Sequence, residues 1–280
     1  MLDINAIVVI YYPSDSVIFN VFSYSQYVNK VYIYDNSPTN EFEKILEESE
    51  IQNYEYYHFP CNLGLAKPIN DAAKKSYKDN IRYLLTMDQD SSFKDFMVLS
   101  DYVHNDIDDM NSTAIYSPFH DTGTRITSGK SISYVKSVMT SGNIINLSVF
   151  EKLGGCDERF FIDCIDHDLC SRVIFSGKKI KQINNCVLSH NLGENIRIKC
   201  GVEVTNHSPI RRYYITRNTF YLVEKNLIKH PLYSSAYMLR FIKNTLICIF
   251  YENNKWEKIR YILKGIKGYI SRDIGMYYIK

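Results

Sequence analysis

Short apolar runs alternate with helical patterns through the first third of the chain. The runs are rich in β-branched and aromatic residues, which is typical of buried strands. They span residues 4–11, 31–34, 54–59 and 81–87. Helical patterns lie between them, at about 15–28, 40–50 and 66–78. Strands that are apolar throughout and joined by helices indicate a parallel sheet buried on both faces. The pattern therefore predicts an α/β fold with a mostly parallel central sheet flanked by helices.

Polar residues follow each of the four predicted strands. Sheets of this kind bind their ligands beyond the carboxyl ends of the strands. The segments at those ends contain Tyr11 and Pro13, then Asp35, then Asn62 and Gly64, and finally Asp88 and Asp90. We therefore expect a ligand site at this edge of the sheet. For the turn at Asn62 and Gly64, a purely structural role in starting the next helix is the alternative.

The fourth predicted strand stops at the triplet Asp88-Gln89-Asp90. Residues i and i+2 of an extended chain point to the same side, so both carboxylates would address one ligand. Carboxylate oxygens suit Mg²⁺ or Mn²⁺, and such ions usually keep open positions for phosphate oxygens. The triplet is a candidate metal site, and an ordinary solvated turn is the alternative.

A second acidic cluster, made of Asp163, Asp166 and Asp168, surrounds the start of a predicted helix over residues 166–176. A carboxylate placed opposite a leaving group can serve as a general base. An aspartate at the start of a helix is also a good cap or dipole partner. The residues alone leave Asp163, Asp166 and Asp168 as competing candidates for such a base, with capping as the structural alternative.

Three further features lie between this cluster and residue 225. His190 follows a predicted strand over residues 180–188 and is a candidate metal ligand or a simple packing residue. The glycine-rich segment 191–208 is predicted to be a loop that either closes over a ligand or merely connects. A predicted helix over 209–225 carries basic residues that would attract a diphosphate or form a solvated cationic face; they are Arg211, Arg212 and Arg217.

The C-terminal residues 225–280 are basic and aromatic. They hold 11 Lys/Arg against 3 Asp/Glu, a net charge of +8, so that residues 1–224 carry −6 within a chain total of +2. No apolar run approaches the ~20 residues that a spanning helix needs. Helices of this composition can lie on an anionic leaflet, and a packed terminal helical pair is the alternative. No recognised nucleic-acid-binding module accompanies the basic excess, so we expect no nucleic-acid partner.

The cysteine pattern and the N-terminus predict the compartment. Seven cysteines form no C-x-x-C pair and no zinc spacing, and nothing at the N-terminus resembles a signal peptide. These features predict reduced thiols in a cytoplasmic protein. The basic C-terminal region adds a candidate peripheral contact with the inner face of the cell membrane.

Several separated motifs share one order along the chain. They are Asp35-Asn36-Ser37, residues 62–70 from Asn62 to Asn70, Met87-Asp88-Gln89-Asp90-Ser91, Ser141-Gly142-Asn143, residues 155–161, Asp166-His167-Asp168, residues 190–193 and Arg217-Asn218. Their order and spacing resemble family 2 glycosyltransferases with a GT-A fold, particularly the rhamnosyltransferase-like branch. The resemblance implies a Rossmann-like GT-A domain over residues 1–224, with a C-terminal helical appendage at 225–280. Residues 1–118 would be the nucleotide-sugar-binding half and residues 119–224 the acceptor-binding half.

The resemblance also implies roles for individual residues. Asp35 would bind the nucleotide base and Asp88 the ribose, while Asp90 and His190 would hold Mn²⁺ or Mg²⁺ at the diphosphate. The other residues expected at the donor are Tyr11, Pro13, Asn62, Gly64, Asn70 and Arg217. Asp166 matches the base that deprotonates the acceptor hydroxyl. Ile165 stands where the family usually has Glu, so that Asp166 lacks its usual acidic neighbour.

The function implied is an inverting, metal-dependent glycosyltransferase that acts on a growing surface polysaccharide. The first candidate donor is dTDP-rhamnose, with UDP-sugars open, and the acceptor is a glycan hydroxyl, expected to be lipid-linked. A sugar nucleotidyltransferase is one alternative, but it would need a basic, glycine-rich loop after the first strand, where the chain has Tyr11-Tyr12-Pro13-Ser14. A non-catalytic carbohydrate- or lipid-surface-binding protein is the other.

Overall fold

The computed structural model describes residues 3–106, 109, 111–121, 129–190, 196–197 and 203–277. Its contacts divide the chain into two compact units. The first contains Met1–Asp157 and Ile165–Asn191, and the second contains Glu158–Cys164 and Leu192–Lys280. The predicted functional boundary at residue 224 is a different kind of division, and it stays a prediction.

The first unit is built on a sheet of strands with helices between them. In chain order its elements are β1 (Ile4–Ile10), α1 (Ser16–Ser25), β2 (Lys30–Asp35), α2 (Phe42–Glu47), β3 (Tyr54–His58), α3 (Ala66–Lys78), β4 (Tyr83–Asp88), β5 (Ser91–Phe93), α4 (Phe96–Asn105), β6 (Thr113–Asp121), β7 (Ile132–Tyr134), β8 (Asn143–Asn146), α5 (Leu147–Lys152), α6 (Ile165–Phe175) and β9 (Lys179–His190). The strand order is β3-β2-β1-β4-β8-β6-β9-β5, and β7 also pairs with β9.

The four strands predicted from the apolar runs pair in parallel, as β3-β2-β1-β4. Most side chains of β1, β2 and β4 are buried because helices cover the sheet, whereas those of the edge strand β3 are half-buried. Val8, Ile33 and Leu85, for example, belong to one core cluster with residues of α1 and α4. Each such side chain contributes roughly 2 kcal/mol by leaving water. The predicted α/β class with a central sheet and flanking helices is therefore confirmed.

The remaining strands make the sheet mixed. Strand β8 runs antiparallel to both β4 and β6, and β5 and β7 run antiparallel to β9, whereas β6 and β9 are parallel. The predicted parallel pairing holds for the first four strands and for the pair of β6 and β9, and the other pairs are antiparallel. The antiparallel strands have three or four residues each, which is too short for a clear pattern of apolar positions.

A tight turn brings β8 against β4. The Gly142 amide donates to the Thr86 carbonyl at 2.7 Å. Gly142 has φ +80°, and a Cβ there would lie 2.7 Å from Cγ of Pro118 and 2.9 Å from Cδ2 of Leu188. Only glycine therefore fits, both for its left-handed backbone and for the close approach of β6 and β9.

The second unit is mostly helical. It contains β10 (Ile196–Arg197), β11 (Glu203–Val204), α7 (Pro209–Asn226), α8 (Pro231–Tyr251) and α9 (Lys255–Ile270). Helix α7 begins at a Ser208 cap followed by Pro209, a favourable pair of residues for a helix start. None of the helices in the described ranges is both long enough and apolar enough to cross a bilayer.

Helix α7 packs against both α8 and α9. Two glycines of α9 allow the approach, because a Cβ at Gly265 would lie 2.7 Å from the Tyr213 carbonyl oxygen and one at Gly268 would lie 2.6 Å from the Tyr213 hydroxyl. The Phe220 ring stacks on Tyr269 of α9 at 5.2 Å and meets Phe241 of α8 at 6.1 Å. The predicted helix over 209–225 is thus the centre of this unit.

Candidate active site

Asp35 lies at the carboxyl end of β2 and is fully buried. Its Oδ1 accepts from the Ser37 amide at 2.8 Å, and its Oδ2 accepts from the Tyr56 hydroxyl at 2.6 Å. Burial together with this hydrogen bond raises the pKa of the Tyr56 phenol, so that Tyr56 stays a donor. Each oxygen keeps a second lone pair. Asp35 therefore shapes the turn after β2, and its predicted contact with the base stays a prediction.

Asn36 connects this turn to the turn after β3. Its Nδ2 donates to the Gly64 carbonyl at 3.0 Å, and its Oδ1 accepts from the Leu63 amide at 3.2 Å. Asn62 Oδ1 accepts from the Gly64 amide at 2.8 Å, and Gly64 has φ +73°, which suits glycine. The structure thus brings Asp35, Asn62 and Gly64 together. Asn36 was given no role from sequence, although it stands in the same three-residue motif as Asp35.

Hydrogen bonds of the Gln89 side chain connect the end of β4 to the end of β1. The Tyr11 amide donates to Gln89 Oε1 at 2.7 Å, and Gln89 Nε2 donates to the Tyr11 carbonyl at 3.2 Å. Asn20 of α1 donates to the Gln89 carbonyl at 2.7 Å. The middle residue of the acidic triplet is therefore structural. It fixes the backbone on either side of Asp88 and Asp90.

The flanking residues of the triplet differ in exposure. Asp88 is half-buried, and its amide donates to Ser141 Oγ at 3.0 Å, which ties it to the turn before β8. Asp90 is exposed. Tyr11 is exposed and Pro13 is half-buried, and the Tyr12 amide between them donates to Ser37 Oγ at 2.9 Å. Three residues predicted to bind the donor, Tyr11, Pro13 and Asp88, and the predicted metal ligand Asp90 thus lie at the carboxyl ends of β1 and β4, and their roles stay predictions.

His190 is brought to the same edge by strand pairing. In the antiparallel pair of β5 and β9, Ser91 stands opposite His190, so that His190 is aligned with the residue that follows Asp90. The side chain of His190 and residues 191–195 lie outside the described residues, as does most of the predicted loop 191–208. Within the part of the chain that the structure describes, no three His, Cys, Asp or Glu side chains form a metal cluster.

Asp166 lines a small cavity next to the end of β4. It lies in the first turn of α6, is half-buried, and accepts at Oδ1 from the His167 amide at 2.8 Å. The cavity walls are mainly apolar and come from α3, β4, β6, β8 and α6; they include Ile69, Thr86, Ile145, Leu169 and Cys170. Thr86 stands in β4, two residues before Asp88.

Asn143 also lines this cavity and was given no role from the sequence. Its Nδ2 donates to the Met139 carbonyl at 2.6 Å, while its buried Oδ1 accepts no hydrogen bond from the described residues. A buried acceptor without a partner costs about 1–3 kcal/mol. A hydroxyl group or a water in the cavity would satisfy it. The Ser141-Gly142-Asn143 motif was the available signal, but it does not reveal which atom is left over.

The other two aspartates of the acidic cluster have basic partners. Asp168 is fully buried, and its Oδ2 accepts from Arg172 Nε at 2.8 Å. The same oxygen lies 2.7 Å from Arg172 Nη2, which makes an ion pair. Asp163, in the second unit, holds Arg211 in a bidentate pair at 3.0–3.3 Å. Both carboxylates thus fix local structure.

Asn70 is tied to the turn that follows α5. Its Nδ2 donates to the Cys156 carbonyl at 2.9 Å, and its Oδ1 accepts from the Cys156 amide at 2.7 Å. A Cβ on Gly155 would lie 2.6 Å from the same Oδ1. Asn70 therefore connects α3 to this turn, and its predicted contact with the donor stays a prediction.

Arg217 belongs to the second unit and is fully buried. Its guanidinium donates to Asn218 Oδ1 at 3.0 Å, to the Gly275 carbonyl at 2.9 Å and to the Arg159 carbonyl at 3.3 Å. It also lies 5.3 Å from the ring centres of Tyr213 and Tyr214. The predicted contact of Arg217 with a diphosphate is untested, and it would require these bonds to be given up. Asn218 donates to the carbonyls of Ile162 and Asp163 at 2.7 and 3.1 Å.

Sequence comparison places the chain among known enzymes. The family model described as glycosyl transferase family 2 matches residues 16–154. The chain is also 29% identical over 240 residues to the dTDP-rhamnosyl transferase RfbF of Shigella flexneri, which covers 78% of this chain and 79% of the relative. The two findings support a glycosyltransferase of the family 2 kind. The chain is accordingly a glycosyltransferase, similar to the rhamnosyltransferase branch, as the motifs suggested.

Solved structures support the fold of this glycosyltransferase. Staphylococcus aureus TarS 1-349 in complex with UDP-GlcNAc aligns with a TM-score of 0.59 at 13% identity, over 97% of this chain and 82% of that one. The mannosyltransferase PcManGT of Pyrobaculum calidifontis, in complex with GDP-Man and Mn²⁺, aligns with a TM-score of 0.60 at 10% identity, over 97% and 88%. The expected GT-A architecture is therefore confirmed.

Proposed function

We propose that this glycosyltransferase transfers rhamnose from dTDP-rhamnose, with inversion, to a hydroxyl group of a growing surface polysaccharide. The donor follows from the similarity to a dTDP-rhamnosyl transferase over most of both chains. One structural observation carries the chemical part of the proposal. Asp166, whose two neighbouring aspartates hold arginines, lines a cavity that extends to Thr86 at the end of β4.

The donor would lie along the carboxyl edge of β1, β2 and β4. Asp35 and Asp88 are proposed for the base and the ribose, with Tyr11 and Pro13 beside them. The Asn62 to Gly64 turn, which is held by Asn36, lets the backbone approach the donor closely because Gly64 has no side chain. Asn70 supports this side through the Cys156 turn. The nucleotide would thus be bound mostly by preformed backbone and carboxylate groups.

A divalent ion is part of the proposal. Asp90 is an exposed carboxylate and His190 is aligned with its neighbour Ser91, which gives an oxygen and a nitrogen ligand suited to Mn²⁺ or Mg²⁺. Ions of this kind are commonly held by one or two protein groups together with substrate phosphates, so two ligands are compatible with the site. The mannosyltransferase with the same fold was solved with Mn²⁺. When bound, the ion would neutralise charge on the departing nucleoside diphosphate.

The proposed reaction is a single displacement. Asp166 accepts the proton of the acceptor hydroxyl, and the acceptor oxygen bonds to the anomeric carbon of rhamnose. The bond from that carbon to the diphosphate oxygen breaks, and dTDP leaves with the electron pair. One base on the face opposite the leaving group gives inversion. Asn143 Oδ1, the unpartnered acceptor in the same cavity, would receive a hydrogen bond from the acceptor sugar or a water.

We further propose a lipid-linked acceptor and an enzyme that works in the cytoplasm at the inner face of the membrane. The support is the net charge of +8 in residues 225–280 and their exposed aromatic and aliphatic side chains.

The test replaces Asp166 by Asn, which keeps the shape of the side chain and removes its basicity. We expect turnover of dTDP-rhamnose to fall about 10³-fold while the dissociation constant of the donor stays within a factor of a few. Asp101→Ala, a change at an exposed aspartate of α4, serves as the control and should leave both unchanged. Undiminished turnover in the Asp166 variant would refute the mechanism, and failure of dTDP-rhamnose to bind would refute the donor.

A further inference from the structure

Helix α8 presents a long apolar face to solvent. Within its 21 residues, the buried ones are Ser234 and Cys248. Leu232, Leu239, Leu246 and Phe250 are spaced by seven, seven and four residues, so they share one side of the helix. Their side chains are 86%, 67%, 48% and 64% exposed. We call these four residues the α8 stripe.

The opposite side of α8 makes the contacts with its own unit. Phe241 meets Phe220 of α7, and Ser234 Oγ donates to the Val223 carbonyl of α7 at 3.3 Å. Both residues lie about half a turn away from the stripe. The exposure of the α8 stripe is therefore not caused by poor packing of the helix, since its other side is engaged.

Basic residues accompany the apolar ones. Arg240 and Lys243 lie beside or within the α8 stripe and are exposed, and α8 contains no Asp or Glu. Helix α9 repeats this composition on one side, where exposed apolar and basic residues alternate at spacings of four and three; they are Trp256, Arg260, Leu263, Lys267 and Ile270. Trp256 is 84% exposed. Both helices thus carry exposed apolar side chains together with exposed basic side chains.

We propose that the α8 stripe, with Arg240 and Lys243, binds the surface of an anionic membrane. Apolar side chains of an interfacial helix enter the boundary between headgroups and acyl chains, and lysine and arginine pair with anionic headgroups. Long basic side chains can reach the headgroups while their stems stay in the apolar layer. This inference rests on the proposed function in one respect: binding to the membrane would hold the enzyme where a lipid-linked acceptor is found.

Charge argues against a second copy of the chain as the occupant. The heptad spacing of the three leucines would also suit pairing of two α8 helices. In such a pair, Arg240 and Lys243 of each copy would meet a helix that offers no carboxylate. Like charges would then face each other in a partly desolvated interface, which is unfavourable. An anionic lipid surface provides the missing counter-charge.

Vesicle flotation tests the proposal directly. The full chain is mixed with vesicles of phosphatidylcholine alone, or of phosphatidylcholine with about one third phosphatidylglycerol. We expect binding to the anionic vesicles, and a loss of about tenfold or more in partitioning for the double variant Arg240→Glu with Lys243→Glu. The matched control reverses two exposed charges of α3, Lys74→Glu with Lys78→Glu, and should bind like the unchanged protein.

A second pair of variants tests the apolar part. Leu239→Ser with Leu246→Ser should reduce partitioning at least as strongly, whereas Phe19→Ser, at a 79% exposed residue of α1, should not. Absence of binding to anionic vesicles, or equal loss in the α3 control, would overturn the proposal. So would a dimer in light scattering that the leucine variants convert to a monomer, because the stripe would then be covered by a second copy.

Donor binding separates this inference from the proposed function. Thermal shifts with dTDP-rhamnose are measured on the same variants without vesicles, and they should stay unchanged. If vesicle binding is absent while the donor still stabilises the protein, the membrane surface is wrong and the transferase proposal stands. If vesicles bind but no nucleotide sugar has an effect, the reverse holds.

Discussion

At the residue scale, the acidic cluster shows what a sequence reveals and what it hides. The pair of Asp168 and Arg172 is visible in advance, because residues four apart on a helix are neighbours. The pair of Asp163 and Arg211 is separated by 48 positions, and only the fold reveals it. Asp166 was favoured from resemblance alone. The structure adds a physical reason, since its two competitors hold arginines.

Asp168→Asn should therefore affect stability rather than chemistry. The change leaves the Arg172 guanidinium without its buried counter-charge, and we expect a loss of about 3 kcal/mol in the free energy of unfolding. Asp166→Asn should cost less than about 1 kcal/mol, because Asp166 is half-buried and forms no ion pair with any residue that the structure describes. Urea unfolding measures both. A folded, stable Asp168 variant without turnover would instead make Asp168 the base.

The sequence did not show which polar residues are buried in the fold. Asp35 and Arg217 were both expected to face the donor, yet both are fully enclosed. A polar residue at a strand end or on a helix is ordinarily exposed, and the partners that enclose these two come from 21 and 58 positions away. Gln89 and Asn36 were overlooked for the same reason. Their side chains bind backbone of distant turns, which no local pattern indicates.

At the scale of elements, the turn before β8 connects the donor edge to the cavity. It carries Ser141, which binds the Asp88 amide, and Asn143, which lines the cavity. Gly142 stands between them with a left-handed backbone against β6 and β9. The positions of Ser141 and Asn143 therefore depend on Gly142, which has no side chain.

Gly142→Ala should damage stability and donor binding together. The left-handed backbone alone costs an alanine about 1–2 kcal/mol, and the Cβ would press on Pro118 and Leu188. Gly154→Ala is the matched control, because Gly154 has φ +82° with nothing within 4 Å of the added Cβ. We expect a loss above about 2 kcal/mol for Gly142 and about 1 kcal/mol for Gly154. Equal losses would show that the close approach is not needed.

The second unit contains a buried ionic network whose titration is predictable. Glu252 pairs with Arg212 and with Lys258, and the nearby His207 is half-buried. Burial, with the positive charges of Arg211 and Arg212, lowers the pKa of His207 to about 4. An unfolded histidine has a pKa of about 6.5. His207 is therefore neutral in the folded protein under conditions where the unfolded chain binds a proton.

This shift predicts a loss of stability in acid. As the pH falls from about 6.5 to about 4, the unfolded chain gains a proton at His207 that the folded chain refuses, so the free energy of unfolding decreases. Allowing for partial solvent exposure, we expect roughly 2 kcal/mol from this residue. Urea unfolding between pH 7 and pH 4.5 should show a smaller decrease for His207→Gln. The control His104→Gln, at an exposed histidine of α4, should match the unchanged protein.

At the scale of the whole molecule, the part of the fold that could be predicted from the sequence is the part with long apolar runs. The strands β1 to β4 and the helices between them were placed within a few residues, because each run buries a continuous row of side chains. The C-terminal helices were expected as an appendage, whereas the short antiparallel strands and the grouping of Glu158–Cys164 with those helices were not. The place of this seven-residue segment in the second unit depends on contacts between residues far apart in the sequence. One example is Phe161, whose ring stacks on Tyr214 with 5.1 Å between the ring centres.

The proposed metal and nucleotide can be tested on the whole protein by thermal unfolding. If Asp90 and His190 hold an ion whose coordination is completed by the diphosphate, dTDP should raise the melting temperature only when Mn²⁺ or Mg²⁺ is present. Ligand at about 100 times its dissociation constant adds about 2.7 kcal/mol, which corresponds to several degrees for a chain of this size. Asp90→Ala should abolish the metal-dependent part, and Asp101→Ala should keep it. An equal shift in the presence of a chelator would mean that the nucleotide is held by the protein alone, and the exposed carboxylate after β4 would then need another explanation.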